Sequence, residues 1–379
     1  MKEEKKMSYK VFVINPGSTS TKLAYFEDEK KLFETSVFHD APDLAAFPTV
    51  IDQFPYRKKL ILDFIKENRI DLTGVDAIVG RGGSSYAVQS GVYEITDLLI
   101  EDTEAGKGGV RHPSNLGPRL ARDLQAIYGG RIFIVDSPMT DEFNDVARIT
   151  GIPGMYRRSH LHVLNQKGTA RFHCSFQQGN KQLRYEDGNF IVCHIDGGMS
   201  IAAHKHGRMI DGNDGAGGEG PFTPTRVGSV DILDFIEYMS EHPEDLDTRR
   251  KKCMTGGGLA AHFGTSNADV IHDMVEKGDP KAVRIWDAMI YNICKQIGAM
   301  ATVLCGQVDG IICGGGLMRF QDVVDQIRER CGWIAPVSIY PGEFEHEAMA
   351  AGAIRVLKGE EKAKIYTGEP VWKGFPDEQ

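Results

Sequence analysis

The stretch that decides the fold is Tyr9–Asp28, YKVFVINPGSTSTKLAYFED. An apolar, β-branched run at Val11–Ile14 stops at a turn of small residues, and a second apolar run follows at Leu23–Phe26. This pattern predicts a strand, a tight turn and a returning strand. Because the turn contains a glycine and many hydroxyl groups, its backbone N–H groups and hydroxyls could all face a phosphate. An ordinary hairpin is the alternative, since Ser and Thr favour turns in any case.

A second stretch, Ile191–Ala203, repeats this plan, with Gly197 in the place of Gly17 and Ser200 in that of Ser20. Internal similarity at domain-sized spacing indicates two related halves. We therefore expect two phosphate-holding turns that face each other across a nucleotide. The residues assigned to this site are Asn15, Gly17, Ser18, Ser20, Thr21 and Lys22 in the first half, and Gly197, Gly198 and Ser200 in the second.

Length and composition fit two domains, because 379 residues with 41% hydrophobic content can build two cores. A net charge of -9 argues against a nucleic-acid partner. No apolar run approaches the roughly 20 residues of a membrane span, so we expect a soluble protein. Seven scattered cysteines without a C-x-x-C pair indicate a reducing, cytoplasmic environment. We interpret the lysine-rich first six residues as a frayed terminus and Gln177–Lys181 as a polar connection.

Two polar residues follow predicted strands in the first half. Arg81 comes after Asp76–Gly80 and is flanked by glycines, a position where α/β folds recognise anions; a surface ion pair is the alternative. Asp136 follows the strand Arg131–Val135, and a carboxylate at the mouth of a buried strand must be paired or hold a cation. Asp136 is therefore the candidate metal ligand, with a helix N-cap as the alternative.

The second half offers a further histidine and a further arginine. His162 precedes a predicted helix, close to two arginines, in a neighbourhood suited to holding negative charge. Arg226 lies among prolines and glycines. Its guanidinium group would either hold an anionic ligand, like that of Arg81, or form a structural ion pair. Gly215–Gly220 matches G-x-G-x-x-G, but a proline-rich segment follows it, so we reject a dinucleotide fingerprint.

Glycines and carboxylates mark the last third of the chain. An apolar strand leads into Gly314, Gly315 and Gly316, and such bare backbone can accept the adenine and ribose of a nucleotide; a tight strand-to-helix turn is the alternative. Three carboxylates surround the start of the predicted helix Ala348–Leu357. The helix dipole stabilises one or two of them, and another is available to Mg²⁺.

Together these motifs resemble the acetate kinase and butyrate kinase family of the actin-like ATPase superfamily. In the order of that family, the motifs are VINPGSTSTK, RHPSNLG, VDSPMTDEF, HLHVLNQK, HIDGGMS, FTPTRVG, ICGGGLMR and PGEFEHEAMAAGA. The match runs from Lys10 to Leu357, and GRGG at Gly80–Gly83 and LNQK after the histidine are similar to the butyrate-type members.

The resemblance implies an α/β fold of two ribonuclease-H-like, actin-like ATPase domains with a nucleotide cleft between them. Residues 1–153 would form the N-terminal domain, and residues 154–379 would form the C-terminal domain with the adenosine site. The helix from about residue 344 would pack back on the N-terminal domain. A homo-oligomer, a dimer or higher, is expected.

The resemblance also implies reversible phosphoryl transfer from ATP to a short-chain fatty acid, butyrate above all, giving an acyl phosphate and ADP. The direction that it suggests is ATP synthesis. Arg81, Asp136, His162 and Arg226 fall on the catalytic motifs of the family, and Asp136 and Glu347, or alternatively Glu343, would hold Mg²⁺. A carboxylate acceptor is already ionised at pH 7 and needs no general base. The cations are needed to relieve repulsion between two anions.

Two departures from the family pattern and one alternative function stay open. Asp196 stands where the family has a glycine or a neutral residue, which adds negative charge beside the phosphates. Ser84 and Ser85 replace an apolar pair after RGG, which affects acyl-chain specificity. The alternative function is a non-catalytic nucleotide sensor or scaffold of the same fold.

Overall fold

The computed structural model describes residues 8–175 and 183–378. The terminus and the polar connection interpreted above lie outside these ranges. The chain forms two compact units, one of Met1–Asp141 with Phe344–Gln379 and one of Glu142–Glu343.

Strands and helices alternate in the order typical of α/β proteins. The strands are β1 (Lys10–Pro16), β2 (Ser20–Glu27), β3 (Lys30–Phe38), β4 (Ala77–Gly80), β5 (Val92–Glu94), β6 (Arg131–Val135), β7 (Asn189–Ile195), β8 (Met199–Lys205), β9 (Arg208–Gly212), β10 (Gly310–Gly315) and β11 (Val337–Pro341). The α-helices are α1 (Ala41–Ala45), α2 (Phe54–Glu67), α3 (Asp97–Ala105), α4 (Gly117–Tyr128), α5 (Asp145–Arg148), α6 (Val163–Ser175), α7 (Ile232–Glu241), α8 (Leu246–Thr255), α9 (Gly258–Phe263), α10 (Ala268–Glu276), α11 (Pro280–Val303), α12 (Gln321–Cys331) and α13 (Glu345–Leu357).

The first unit is built on a mixed sheet with the strand order β3-β2-β1-β4-β6-β5. Strands β1, β4 and β6 are parallel, and β2, β3 and β5 run antiparallel to their neighbours. Successive side chains of a strand point to opposite faces, so Phe12 and Ile134 join the core on the α4 side. Val135 points the other way, where Gly352 of α13 lies so close that a Cβ would meet Val135 Cγ1 at 2.6 Å.

The second unit has the strand order β11-β10-β7-β8-β9, again with three parallel strands beside an antiparallel hairpin. Helix α11 covers one face with an apolar stripe that is buried in the core, Ile285, Met289, Ile293 and Ile297. Helix α6 covers the other face. The start of α11 is capped by Asp279, whose carboxylate accepts a hydrogen bond from the Ala282 N–H at 2.8 Å.

The division between the units differs from the predicted boundary at residue 153. Residues from 142 onwards belong to the second unit because Phe143 packs with Leu161 and Met209, and the Asn144 N–H donates to the Ile210 carbonyl at 2.9 Å. The chain returns to the first unit at Phe344. There Lys364 extends the sheet edge, since its N–H donates to the Val92 carbonyl at 2.8 Å.

Two further observations bear on the expected environment. All seven cysteines lie in the described part of the chain and are free thiols. Within that part, no helix has the length and apolar character that crossing a bilayer would require.

Candidate functional site

The first predicted turn has the expected strand-turn-strand form. Strands β1 and β2 pair antiparallel, which places Asn15 opposite Lys22, and the Gly17 N–H donates to the Ser20 carbonyl at 2.7 Å. Ser18 is exposed at the tip, whereas Ser20 is buried. The turn therefore presents its tip to solvent on a fixed base.

A buried arginine that the sequence did not reveal lies under this turn. The Arg57 guanidinium donates to Thr21 Oγ1 at 3.2 Å and to the Ser20 carbonyl at 3.4 Å. Thr21 Oγ1 also contacts His39 Nε2 at 2.8 Å, so the Thr21 hydroxyl holds the underside of the turn. Burial and the charge of Arg57 lower the pKa of His39 to about 4, so His39 is neutral at physiological pH.

Asn15 and Arg81 meet at one carboxylate, that of Glu345 in the first turn of α13. Asn15 Nδ2 donates to Glu345 Oε2 at 2.8 Å, and Arg81 Nη2 donates to Glu345 Oε1 at 3.1 Å. The Arg81 backbone is fixed because its N–H donates to the Ile14 carbonyl at 2.9 Å. Arg81 Nη1 is buried and has no hydrogen-bond partner in residues 8–175 and 183–378. A buried donor of this kind suits an anionic ligand.

The family resemblance favours Glu347 as a magnesium ligand and assigns no role to Glu345. Glu347 Oε1 accepts from Lys31 Nζ at 2.7 Å, and both side chains are about one-third exposed. Such a surface ion pair contributes roughly 0–1 kcal/mol. Of these two carboxylates of α13, Glu345 is the one in contact with predicted site residues. The sequence offered no signal to separate them, since both lie near the helix start.

Asp136 lies at the end of β6, beside the end of β4 that carries Arg81. It is buried and has a left-handed backbone with φ of 39°, a conformation that is costly for a residue other than glycine. Its Oδ1 accepts from the Gly91 N–H at 2.8 Å, and its own N–H donates to the Gly91 carbonyl at 3.0 Å. The hydrogen bonds with Gly91 thus hold the carboxylate of this residue in one orientation, on a strained backbone.

His112, in the RHPSNLG motif, interacts electrostatically with Arg81, Arg57 and Glu345. Partial burial lowers its pKa, the charges of Arg81 and Arg57 lower it further, and Glu345 opposes them. Its Nδ1 accepts from the Ser114 N–H at 3.2 Å. In the sequence this motif contributes to the family resemblance, but no role is assigned to His112.

The serines that depart from the family pattern are turned into the protein. Ser84 Oγ accepts from the Val110 N–H at 3.0 Å, and Ser85 Oγ donates to the Tyr86 carbonyl at 2.9 Å. Both serines are buried. Both hydroxyls are therefore engaged with backbone groups inside the protein.

In the second unit, Arg226 lies over the predicted glycine turn between β7 and β8. A Cβ at Gly198 would lie 2.8 Å from Arg226 Nη1, so a larger residue there would displace the guanidinium group from its position over the turn. Arg226 Nη1 donates to the Gly215 carbonyl at 3.1 Å. In the described ranges Arg226 Nε is buried without a hydrogen-bond partner, and burial lowers the pKa of the guanidinium while the charge of Asp214 opposes this effect.

His162 and Ser200 are brought together. His162 Nδ1 contacts Ser200 Oγ at 2.9 Å, and the His162 ring stacks on that of His194 with centroids 4.1 Å apart. Ser200 Oγ also accepts from Gln166 Nε2 at 2.8 Å. The serine hydroxyl therefore positions the histidine.

His160, which the sequence did not single out, contacts Asp214 Oδ2 through Nδ1 at 3.1 Å. Asp214 is the carboxylate that also acts on Arg226. The neighbouring Arg157 is structural, because it forms ion pairs with Glu219 and Asp211, both at 2.8 Å. These pairs raise the pKa of Arg157.

The predicted shelf at Gly314–Gly316 is joined to the glycine turn by Asp196. Asp196 Oδ1 accepts from the Gly197 N–H at 2.7 Å, and Oδ2 accepts from the Gly316 N–H at 2.6 Å. Gly315 has φ of 105°, and a Cβ there would lie 2.3 Å from the Ile195 carbonyl. The carboxylate that departs from the family pattern thus links two loops at the carboxyl ends of β7 and β10.

Side chains of a type that can bind a cation occur in each unit. In the first unit, Asp136 and Glu345 offer the hard oxygen donors that Mg²⁺ prefers. In the second, the ligand atoms of His194, Asp196 and Glu343 lie within 4.8 Å of one another. This places Glu343, the alternative to Glu347, in a different group from Asn15 and Arg81.

The chain is similar to known proteins in sequence and in fold. Residues 140–331 match the model of the acetokinase family. The chain is 43% identical over 361 residues to a probable butyrate kinase of Clostridium botulinum, covering 95% of this chain and 100% of the relative. It is 42% identical over 360 residues to a probable butyrate kinase of Coprothermobacter proteolyticus, with the same coverage.

Among solved structures, the acetate kinase of Porphyromonas gingivalis superposes with a TM-score of 0.75 at 20% identity, covering 92% of this chain and 100% of that one. At this identity the likeness concerns the fold alone, and it confirms the predicted α/β fold of two actin-like domains. The sequence relatives carry the assignment further, because their similarity extends over nearly the whole length. The chain therefore belongs to the acetokinase family.

Proposed function

We propose that this protein transfers the γ-phosphoryl group of ATP to the carboxylate of a short-chain fatty acid, with butyrate as the preferred acceptor. The products are an acyl phosphate and ADP, and the reaction is reversible, so that it can also synthesise ATP. The acceptor is ionised at pH 7, so the enzyme has to neutralise charge rather than remove a proton.

The observation that carries the proposal is the state of Arg81. One end of its guanidinium is paired with Glu345 at 3.1 Å, and the buried Nη1 has no partner in the described ranges. A guanidinium anchored on one side offers its other donors to a carboxylate or phosphoryl oxygen in a fixed direction. A protein that only sensed nucleotide would have no need for such a donor at the end of β4.

We assign the remaining roles by the contacts of each residue. Arg226, with its buried Nε, would bind oxygens of the transferring phosphoryl group, where fixed positive charge stabilises the transition state. His162, oriented by Ser200 and His194, would donate a hydrogen bond to the same group. The Gly197–Gly198 turn and the Gly314–Gly316 shelf would bind nucleotide through backbone N–H groups.

Magnesium is part of the proposal. The residues that would hold it are Asp136 and Glu345, because their carboxylates supply hard oxygen donors in the first unit. When bound, Mg²⁺ would neutralise charge on the phosphates. Glu345 replaces Glu347 in this assignment, since Glu347 is paired with Lys31 on the surface.

The setting of the enzyme is also proposed. Free thiols at all seven cysteines fit a reducing cytoplasm. We further infer that the protein acts as a homo-oligomer.

Trapping of the acyl phosphate with hydroxylamine tests the activity. The full-length protein is incubated with ATP, Mg²⁺ and acetate, propionate, butyrate or valerate, and the hydroxamate is measured. We expect the largest kcat/KM with butyrate. The acids should be clearly distinguished, because each methylene in a fitted pocket changes transition-state binding by about 1–3 kcal/mol. ATP consumption that does not depend on any acid would contradict the proposal.

The Arg226→Ala variant separates catalysis from nucleotide binding. It should lose hydroxamate formation while ADP affinity, measured by calorimetry, changes little. Arg131→Ala is the matched control, because Arg131 pairs with Glu94 on the surface of the first unit. Equal loss of activity and ADP affinity in Arg226→Ala would assign that residue a structural role only.

A further inference from the structure

Arg57 in α2 is a buried cation whose hydrogen-bond acceptors are all neutral. Its side chain is 0% exposed, and within residues 8–175 and 183–378 it forms no ion pair with a carboxylate. Burial lowers the pKa of Arg57 to about 10, so the guanidinium still carries its charge at pH 7. A buried charge without a partner of opposite sign is costly. A neutral side chain would fill the same space at lower cost, which indicates that the charge itself has a use.

The contacts of the Arg57 guanidinium join α2 to the turn between β1 and β2. Nε and Nη2 both donate to Gln53 Oε1 at 3.0 Å, which anchors the group at the start of α2. Nη1 donates to Thr21 Oγ1 at 3.2 Å and to the Ser20 carbonyl at 3.4 Å. Nη2 also donates to the Ser18 carbonyl at 3.5 Å. The positive charge therefore lies directly beneath the turn.

These contacts draw the carbonyl groups of the turn towards the protein. The Ser18 carbonyl accepts from Arg57, and the next carbonyl, that of Thr19, accepts from the His39 N–H at 2.9 Å. The C=O and N–H of a trans peptide group point in opposite directions, so the N–H groups of Thr19 and Ser20 are directed away from these donors. Ser18 and Thr19 are exposed. Outward N–H groups above a fixed positive charge suit an anion at the tip of the turn.

The charge of Arg57 acts on ionisable groups around it. Burial lowers the pKa of His39, and Arg57 lowers it further. Burial and the charge of Arg81 lower the pKa of His112, and Arg57 again adds to the effect. The field of this buried cation thus reaches the residues near Arg81, and an anion at the turn would experience it as attraction.

We propose that Arg57 is a positioning residue for the terminal phosphates of ATP, which it attracts from beneath the β1–β2 turn while it orients that turn. Because Arg57 is fully buried, it acts through the backbone and hydroxyl groups of the turn and does not touch the nucleotide. This inference rests on the proposed function, which supplies the anion. It adds a role for a charge that phosphoryl transfer has so far left unused.

The Gln53→Glu variant separates this role from a purely structural one. Glutamate has the size of glutamine and can accept the same two hydrogen bonds from Arg57, so it neutralises the buried charge and keeps the contact. The melting temperature should stay the same or rise, because the cation gains an anionic partner. The dissociation constant of β,γ-imido-ATP with Mg²⁺ should nevertheless increase at least tenfold. That of AMP, which lacks the terminal phosphates, should change less than twofold.

Two variants of Arg57 itself test the same point independently. Arg57→Met should weaken the binding of β,γ-imido-ATP at least tenfold, whereas Arg57→Lys, which keeps the charge, should stay within about threefold of the wild type. Lys58→Met is the matched control. It removes one positive charge from the same helix, but Lys58 pairs with Asp123 at 2.6 Å and is 32% exposed. Its dissociation constants should equal those of the wild type.

Calorimetry measures all these constants on the full-length protein, and circular dichroism with thermal melting checks the fold of each variant. The proposal is overturned if Gln53→Glu binds β,γ-imido-ATP as tightly as the wild type, if it weakens AMP binding equally, or if Lys58→Met has the same effect. A wild type that binds β,γ-imido-ATP no more tightly than AMP also overturns it. None of these measurements needs an acid acceptor, so a wild type that binds the nucleotide but forms no hydroxamate would contradict the proposed function alone.

Discussion

At the scale of single residues, Glu345 joins two motifs that lie far apart in the chain. It accepts from Asn15 at 2.8 Å and from Arg81 at 3.1 Å, and all three side chains are largely shielded from solvent. Its neighbour Glu347 has the same chemistry but contacts Lys31 at the surface. The two glutamates therefore form a matched pair for an experiment.

Glu345→Gln should lower kcat for acyl phosphate formation about a hundredfold or more, because it removes charge from the group around Arg81. It should also shift the Mg²⁺ dependence of the rate to higher concentration. Glu347→Gln should change either quantity by less than about threefold, as expected for an exposed pair. The hydroxamate assay at several Mg²⁺ concentrations measures kcat and its Mg²⁺ dependence. Larger effects in Glu347→Gln than in Glu345→Gln would show that Glu347, and not Glu345, binds the metal.

Asp196 is one of the residues that differ from the pattern implied by the family resemblance, and its carboxylate accepts a hydrogen bond from the Gly316 N–H at 2.6 Å. Asp196→Gly restores the family composition but leaves that N–H without its acceptor. A hydrogen bond to a charged group contributes about 1.5–3 kcal/mol. We expect the KM for ATP to rise about tenfold, with a smaller change in the KM for butyrate.

Steady-state kinetics with each substrate varied in turn measures the two KM values of Asp196→Gly. The KM for butyrate serves as the internal control for general damage. A fall in the KM for ATP would mean that Asp196 opposes the phosphates by its charge instead of ordering the Gly314–Gly316 turn.

At the scale of elements, local patterns predicted more than distant ones. The strand-turn-strand units β1–β2 and β7–β8 could be predicted because alternating apolar runs and turn residues act within about twenty residues. The partners of the predicted side chains could not, since Glu345 lies 330 positions from Asn15. The burial of Arg57 could not be predicted either, because one arginine in an amphipathic helix gives no sign that it will lie under a turn.

Helix α6 is fixed by a buried ion pair that the LNQK motif had not revealed. Lys167 is fully buried, and its Nζ donates to Glu142 Oε2 at 2.8 Å and to the Gly207 carbonyl at 2.7 Å. Removing one partner of a buried pair costs about 3–5 kcal/mol, because the other charge stays buried. Lys167→Ala should therefore lower the free energy of unfolding by about that amount.

Urea denaturation followed by circular dichroism measures the loss in Lys167→Ala. Lys167→Met combined with Glu142→Gln is the informative control, since it replaces the charged pair by an uncharged one and should recover part of the stability. A loss below about 1 kcal/mol in Lys167→Ala, typical of exposed pairs, would show that the pair does not fix the helix.

At the scale of the whole molecule, the sequence indicated two related halves, and the family resemblance implied that the chain returns to the first unit near residue 344. The repeated turns lie at residues 17 and 197, whereas the units divide after Asp141 and again after Glu343. The predicted boundary at residue 153 lies in a segment that contains glycine and proline, and these residues commonly interrupt secondary structure. The actual division is set by long-range packing of Phe143 with Leu161 and Met209, which composition does not encode.

The response of the molecule to acid follows from three histidines whose pKa values lie below the ordinary value. The pKa values of His39, His112 and His173 are all lowered, in each case mainly by burial. For His39 the folded value is about 4 and the ordinary value 6.5. Between these pH values the unfolded chain binds a proton that the folded chain does not, so stability falls as the pH falls.

For His39 the loss is complete below pH 4 and amounts to at most about 3 kcal/mol. His39→Gln keeps a polar group near Thr21 but cannot be protonated, so its free energy of unfolding should fall less than that of the wild type between pH 7 and pH 5. The remaining slope should reflect His112 and His173. Chemical denaturation at both pH values measures the difference, and parallel falls in the two proteins would mean that His39 is protonated in the folded state despite its contact with Thr21 and the nearby charge of Arg57.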